Sequence, residues 1–317
     1  MFQTKIDIPV PEIRISYEDY IMTLGSCFAE NIGNKLKDVY FETDINPFGV
    51  LYNPVSISNS IELLLRKKVF TNEDIFEYNS LWQSFSHSSS FTDISAEDCL
   101  NKMNSRLNFS AEFLQKTQIL LITFGTARVF EEKKSGRVVS NCHKLPATDF
   151  IRRRLTVEEI VNDYNELIIK LKSVYPTINI IFSVSPIRHW KDGAHENNIS
   201  KSILIMAIDE IQKLNDKVYY FPAFEIQMDE LRDYRFYASD MLHPSEVAVD
   251  YIWSRFSETY FTDGTQQLKK RLERLVADRN HRPFQPDSIE FKKFLLNTEK
   301  RKTEILRDFP YLSNRIH

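Results

Sequence analysis

Two short segments of this chain carry residues whose types and spacing suit acyl transfer. Thr23-Leu24-Gly25-Ser26-Cys27-Phe28-Ala29 ends an apolar run and offers a hydroxyl at a strand-to-helix turn. Far downstream, Ser239-Asp240-Met241-Leu242-His243-Pro244 offers a carboxylate and an imidazole on one tight loop, just before a helix-like run. A serine hydroxyl alone is a poor nucleophile and needs a base. His243 supplies a base, and Asp240 can hold its imidazole in one tautomer and stabilise the protonated form. Each piece also has a plainer reading: Ser26 as an N-cap, Asp240 as a capping carboxylate, His243 as a surface histidine. Their combination in one chain favours catalysis. Cys27 is a rival nucleophile, because a helix N-terminus lowers a thiol pKa, or it is simply a small apolar residue.

These side chains need a scaffold that gathers them. The apolar runs at 20–24, 119–124, 178–184 and 218–221 read as strands, and each ends in a Gly, Ser or Pro turn. Between them, 27–38, 156–173, 196–214 and 246–257 read as helices. Strand-helix-strand order with runs lacking alternation predicts an α/β fold with a parallel sheet buried on both faces. In such a sheet, ligands bind beyond the carboxyl ends of the strands. Gly25-Ser26, Gly125-Thr126 and Ser185-Pro186 follow those ends, and Asp240 with His243 enters the last helix. Ser26 at a helix start also lies beside backbone N–H groups able to stabilise an oxyanion. Residues 67–117 are polar and read as an inserted segment or lid-like excursion, because Trp82, Phe85 and Phe91 need burial. The expected division is therefore 1–263, followed by a charged helical extension at 264–317.

The segment Gly25-Ser26-Cys27-Phe28-Ala29 spells the motif of the GSCFA family, which the chain resembles over roughly residues 10–260. Four further blocks carry the resemblance: Ile45-Asn46-Pro47-Phe48-Gly49, Thr123-Phe124-Gly125-Thr126-Ala127, Asn141-Cys142-His143-Lys144-Leu145-Pro146 and Ser183-Val184-Ser185-Pro186-Ile187-Arg188-His189. The Asp240–Pro244 block closes the series. That family looks like a branch of the SGNH (GDSL-type) hydrolase superfamily. The resemblance implies a three-layer α/β/α flavodoxin-like fold, Ser26 in the nucleophile block and Asp240 with His243 in the closing block. It also places Gly49 in a second block whose backbone N–H completes an oxyanion hole with Ser26. Two departures stand out. The usual Gly-Asp-Ser lacks its aspartate here, since Gly25 precedes Ser26 directly. Thr126 follows Gly125 where an asparagine donor is usual, so Thr126, with Asn46 or Asn141 as alternatives, is the candidate donor. Losing one such donor costs on the order of a hundredfold in rate.

The reading that follows is a serine-dependent esterase, acyl hydrolase or O-acyltransferase acting on small acyl esters of a carbohydrate-like acceptor. The alternative is a non-catalytic ligand-binding module on the same scaffold. Arg188 and His189, after a strand end, are candidate substrate-binding residues, as are Asn46, His87, Asn141 and His143. No His-x-x-x-His or Cys-x-x-Cys pair supports a metal site, and no cofactor is expected. The net charge of -3 gives no broad field for nucleic acid, and Arg152-Arg153-Arg154 lacks interleaved aromatics. The three cysteines fit a reducing compartment better than a disulfide framework. With no leader-like stretch at the start and no apolar run of membrane-spanning length, the expected location is the cytoplasm, without membrane insertion. The charged extension is a candidate surface for homo-oligomer contacts.

Overall fold

The computed structural model describes residues 4–316; residues 1–3 and 317, the outermost positions of the two expected divisions, lie outside it. Five strands form one parallel sheet: β1 (Tyr20–Gly25), β2 (Glu42–Ile45), β3 (Thr117–Phe124), β4 (Asn179–Val184) and β5 (Val218–Phe221). Their spatial order is β5-β4-β3-β1-β2. The chain moves outward from β1 to β2, then crosses back over β1 to reach β3. The crevice where the order reverses lies at the carboxyl ends of β1 and β3, the ligand-binding position of such sheets.

Side chains alternate across the sheet and build two cores. Met22, Leu24, Leu120, Ile122, Phe124 and Phe182 face one side. They pack against α2 (Pro54–Leu65), α3 (Ala96–Leu114), α4 (Val157–Val174) and α5 (Ala194–Leu214). Ile21, Ile119, Leu121, Ile181 and Phe221 face the other. There they meet α1 (Cys27–Asp38), α6 (Glu246–Tyr260), α7 (Asp263–Asn280) and α8 (Ile289–Asp308). Phe28, Ile32 and Leu36 supply the buried stripe of α1 at helical spacing. The fold is thus three-layered, helix on sheet on helix.

The charged C-terminal run is built into the second core. Leu268, Leu272 and Leu275 of α7, Ile305 of α8, then Leu312 and Ile316, are buried with Ile13, Ile15 and Tyr17 from the start of the chain. Ile15 donates its N–H to the carbonyl of Tyr260 at 2.7 Å. Arg315 reaches the Tyr17 carbonyl at 2.8 Å and Glu42 on β2 at 2.8 Å. Leu272→Ala is therefore expected to cost about 2–5 kcal/mol, as a buried leucine truncation does elsewhere. Urea denaturation measures it, and a loss below about 1 kcal/mol would show that α7 does not support the sheet domain.

The polar stretch 67–117 divides in two. Its second half is α3, a regular crossover helix that buries Cys99, Met103 and Leu107. The first half is irregular, with a hairpin (Phe76–Tyr78 and Leu81–Gln83) and a turn at Ser88–Phe91. A separate three-stranded antiparallel sheet joins Arg128–Glu132, Val138–Val139 and Phe150–Arg154. Its arginines are paired: Arg152 with Asp192, Arg153 with Glu131 and Glu159, Arg154 with Glu196. Among the described residues, no helix is long and apolar enough to cross a membrane.

Candidate active site

β1 ends in a turn that only glycine makes easily. Gly25 has φ +135°, and a Cβ there would press into the backbone of Thr123 on β3. The turn delivers Ser26 as the N-cap of α1, its Oγ accepting from the Phe28 N–H at 3.3 Å. Ser26 is only 1% exposed. Cys27, the first residue of α1, is half-buried, and its Sγ lies 3.5 Å from the Tyr52 hydroxyl. The Tyr52 ring meets the His189 ring edge-on, with centroids 5.6 Å apart.

The loop before α6 supplies the other pair. Asp240 Oδ2 lies 2.5 Å from His243 Nδ1. Asp240 Oδ1 accepts from the N–H groups of Leu242 and His243, each at 2.9 Å. The His243 N–H first, then that of Leu242, then the imidazole, hold the Asp240 carboxyl down at about 2. With Nδ1 engaged, Nε2 is the nitrogen left for proton transfer. His243 is close enough to His189 for its charge to be felt there. The contacts Cys27–Tyr52–His189 thus lead from the start of α1 toward His243. Among the described residues, no hydrogen bond joins Ser26 Oγ to His243.

The expected oxyanion donors are engaged within the protein. The Ser26 N–H donates to Thr123 O at 3.2 Å, and the Gly49 N–H to Asn46 O at 2.8 Å. Thr126 Oγ1 lies 3.1 Å from Ser200 Oγ and accepts from the Arg128 N–H. Asn46 is different. Its Oδ1 accepts from the Gly25 N–H at 2.9 Å, which fixes the amide against the turn. Its Nδ2 is buried, and among the described residues it has no partner. A buried donor without an acceptor is costly, and this one sits beside the turn that carries Ser26.

The remaining sequence candidates fall into two groups. His189 is at the strand-end edge, and burial, then Lys201, push its imidazole down to about 4. Arg188 lines a cleft next to Asp240. Asn141 is spent on its own turn, accepting from the His143 N–H at 2.9 Å. His143 Nε2–H donates to the Ser84 carbonyl at 2.7 Å, and the His143 ring meets Phe76 edge-on. His87 is buried among Phe48, Phe70 and Phe91. These two imidazoles pack the irregular loop, His87 against Phe48 beside Gly49 and His143 against Phe76.

His87 makes acid sensitivity testable. Burial, then His143, push its pKa down to about 3. A lowered histidine pKa means the unfolded chain binds the extra proton, so stability falls as pH drops from about 6.5 toward 3. His87→Phe, a ring-for-ring swap in an aromatic pocket, is expected to remove a few kcal/mol of that loss. Unfolding free energy measured across the window tests this; an unchanged acid slope would refute it.

Two residues went unnoticed in the sequence. Tyr52 is one. Lys201 is the other: it is fully buried, and its ammonium donates to Gly125 O at 2.7 Å and Ser185 O at 2.8 Å. It ties the ends of β3 and β4 together, and burial, then Arg188, push it down to about 7. The signal was available, since Asn197, Lys201, Leu204 and Ile208 share one helical stripe that is buried throughout.

The model of the GSCFA family matches residues 20–256, and that of the GSCFA domain protein C-terminal domain matches 266–315. No curated protein matches the chain. Among solved structures, a provisionally assigned platelet activating factor from Streptococcus pneumonia is 14% identical, covering 75% of this chain and 84% of its own, with a TM-score of 0.36. A Clostridium thermocellum family 3 carbohydrate esterase is 13% identical, covering 80% of this chain and 98% of its own, with a TM-score of 0.33. The family match spans the sheet, the Ser26 turn and the Asp240–His243 loop, and the chain belongs to the GSCFA family.

Proposed function

We propose that this protein is an ester hydrolase or O-acyltransferase that works through an acyl-enzyme. The observation that carries the reading is the Asp240–His243 pair, whose engaged Nδ1 leaves Nε2 to act as base. Ser26 Oγ gives its proton to His243 Nε2 and attacks the acyl carbon. The carbonyl oxygen becomes an oxyanion, for which Asn46 Nδ2 is the spare donor. His243 then protonates the leaving alcohol. Water or a second hydroxyl resolves the acyl-enzyme, giving hydrolysis or transfer respectively.

One observation favours a second reading with Cys27 as nucleophile. Cys27 is half-buried and faces Tyr52, whereas Ser26 is almost fully buried with its oxygen tied to Phe28. The chemistry is otherwise the same, with a thioester in place of an ester. Fluorophosphonate and iodoacetamide labelling, mapped by mass spectrometry, separates the two. A Ser26 adduct that disappears in His243→Ala supports the serine. Alkylation of Cys27 that stops turnover, with Ser26→Ala still active, supports the thiol. No reaction at either residue of the folded protein leaves the binding-module alternative.

A further inference from the structure

A cleft of about 550 Å³ opens beside the Asp240–His243 loop. Arg188, Trp190, Arg232, Tyr234, Tyr237 and Asp240 line it. Asp240 belongs to both, so a molecule in the cleft abuts the loop that holds His243.

Most charges around this cleft are already answered. Arg232 pairs with Asp229 at 3.2 Å, Asp233 with Arg235 at 3.0 Å, and Asp240 with His243. Arg188 is the exception. Its guanidinium donates to the thioether of Met228 at 3.1 Å, and among the described residues no carboxylate pairs with it. It also stands close enough to the buried Lys201 to push that ammonium's pKa down. A guanidinium on the cleft wall with no carboxylate paired to it favours an incoming anion. The planar fork of arginine suits a carboxylate, which it binds through two parallel hydrogen bonds.

The cleft also presents aromatic surface. Trp190 is 54% exposed and Tyr234 75%. Flat aromatic faces beside hydrogen-bonding groups fit the C–H face of a pyranose, whose hydroxyls point outward to polar neighbours. We propose that the cleft binds an acidic sugar, a pyranose bearing a carboxylate, with Arg188 holding the carboxylate and Trp190 or Tyr234 stacking on the ring. The sugar is then the portion of the substrate that carries the ester, a role that rests on the acyl-transfer reading, whereas binding itself does not.

The test is calorimetric titration of the purified full chain with sodium glucuronate, glucose and sodium acetate at low salt. Glucuronate is expected to bind at least about tenfold more tightly than glucose, which lacks the charge, and than acetate, which lacks the ring. Arg188→Gln is expected to abolish the preference over glucose, and Trp190→Ala with Tyr234→Ala to abolish the preference over acetate. Equal binding of glucuronate and glucose, no binding, or an unchanged preference in Arg188→Gln would overturn the proposal. So would tighter binding of glucose 6-phosphate than of glucuronate, which would make the site one for phosphate. The same titration on His243→Ala, where turnover is expected to be lost, keeps the two readings apart. Glucuronate binding that persists there supports the cleft whether or not the acyl chemistry holds.

Discussion

His243→Ala is expected to lower ester turnover by about ten-thousandfold while leaving the fold intact. In serine hydrolases, losing the base removes the proton acceptor for the attack and the donor for the leaving group, and what remains comes from binding and oxyanion contacts. His243 lies on an exposed loop, and its ring contact is to Asp240 alone among the described residues, so its removal should cost little stability. Asp240→Asn should lower turnover to a similar degree, because an amide accepts and donates differently at Nδ1 and releases the tautomer. The pair also fixes the acid behaviour. A carboxylate with a depressed pKa stays ionised until the pH falls through its folded value, here about 2. A loss of activity between neutral pH and about 4 is therefore expected to arise from groups other than Asp240. The kcat for 4-nitrophenyl acetate across pH, in wild type and both variants, measures all of this. Turnover in His243→Ala within tenfold of wild type would remove His243 from the mechanism.

Gly25→Ala is the largest expected stability effect, a loss of about 4 kcal/mol. The added Cβ would lie 2.9 Å from the Thr123 carbonyl carbon and 3.0 Å from its nitrogen. These are backbone atoms of a paired strand, so they cannot swing aside as a side chain would. The φ of +135° adds strain that alanine does not relieve. Backbone strain of about 1–3 kcal/mol and overpacking of about 1–3 kcal/mol combine to that estimate. Equilibrium urea unfolding at an unchanged m-value measures it. A loss under 1 kcal/mol would mean that β1 and β3 can separate at their carboxyl ends, and that the Ser26 turn is softer than its packing implies.

The sheet was legible because its central strands are short apolar runs buried on both faces, and a run such as 119–124 has no other stable place. The helix at 27–38 was equally clear from Ser26, Phe28, Ile32 and Leu36. β2 was not seen. Its residues, Glu42-Thr43-Asp44-Ile45, lie at the sheet edge, where Asp44 pairs with Arg106 and no apolar run is needed. α3 was hidden inside a polar stretch, because over its first three turns only Cys99, Met103 and Leu107 are buried among charged and polar residues. At the site, the Asp-x-x-His loop could be read from spacing, since one turn carries both side chains. Its neighbour Tyr52 could not, because it is placed by a loop whose path depends on contacts far apart in the chain, such as those of the Gly125 and Thr126 N–H groups with the Tyr52 carbonyl. The engagement of Thr126 with Ser200 likewise depends on α5 packing over the end of β3.

The pairing of Ile15 with the end of α6, and the burial of Leu312 and Ile316 beside Tyr17, sets an order of assembly. The core on the α2–α5 face draws on residues 22–218 and can condense once those have been made. The opposite core joins residues about 300 positions apart, a closure among the slowest a chain can make. Tyr17 stacks on nearby Phe41, with centroids 4.1 Å apart, whereas Leu312 and Ile316 join it only through that long closure. The sheet face beside the Ser26 turn is thus only part-covered by α1 until α7, α8 and residues 312–316 complete its core.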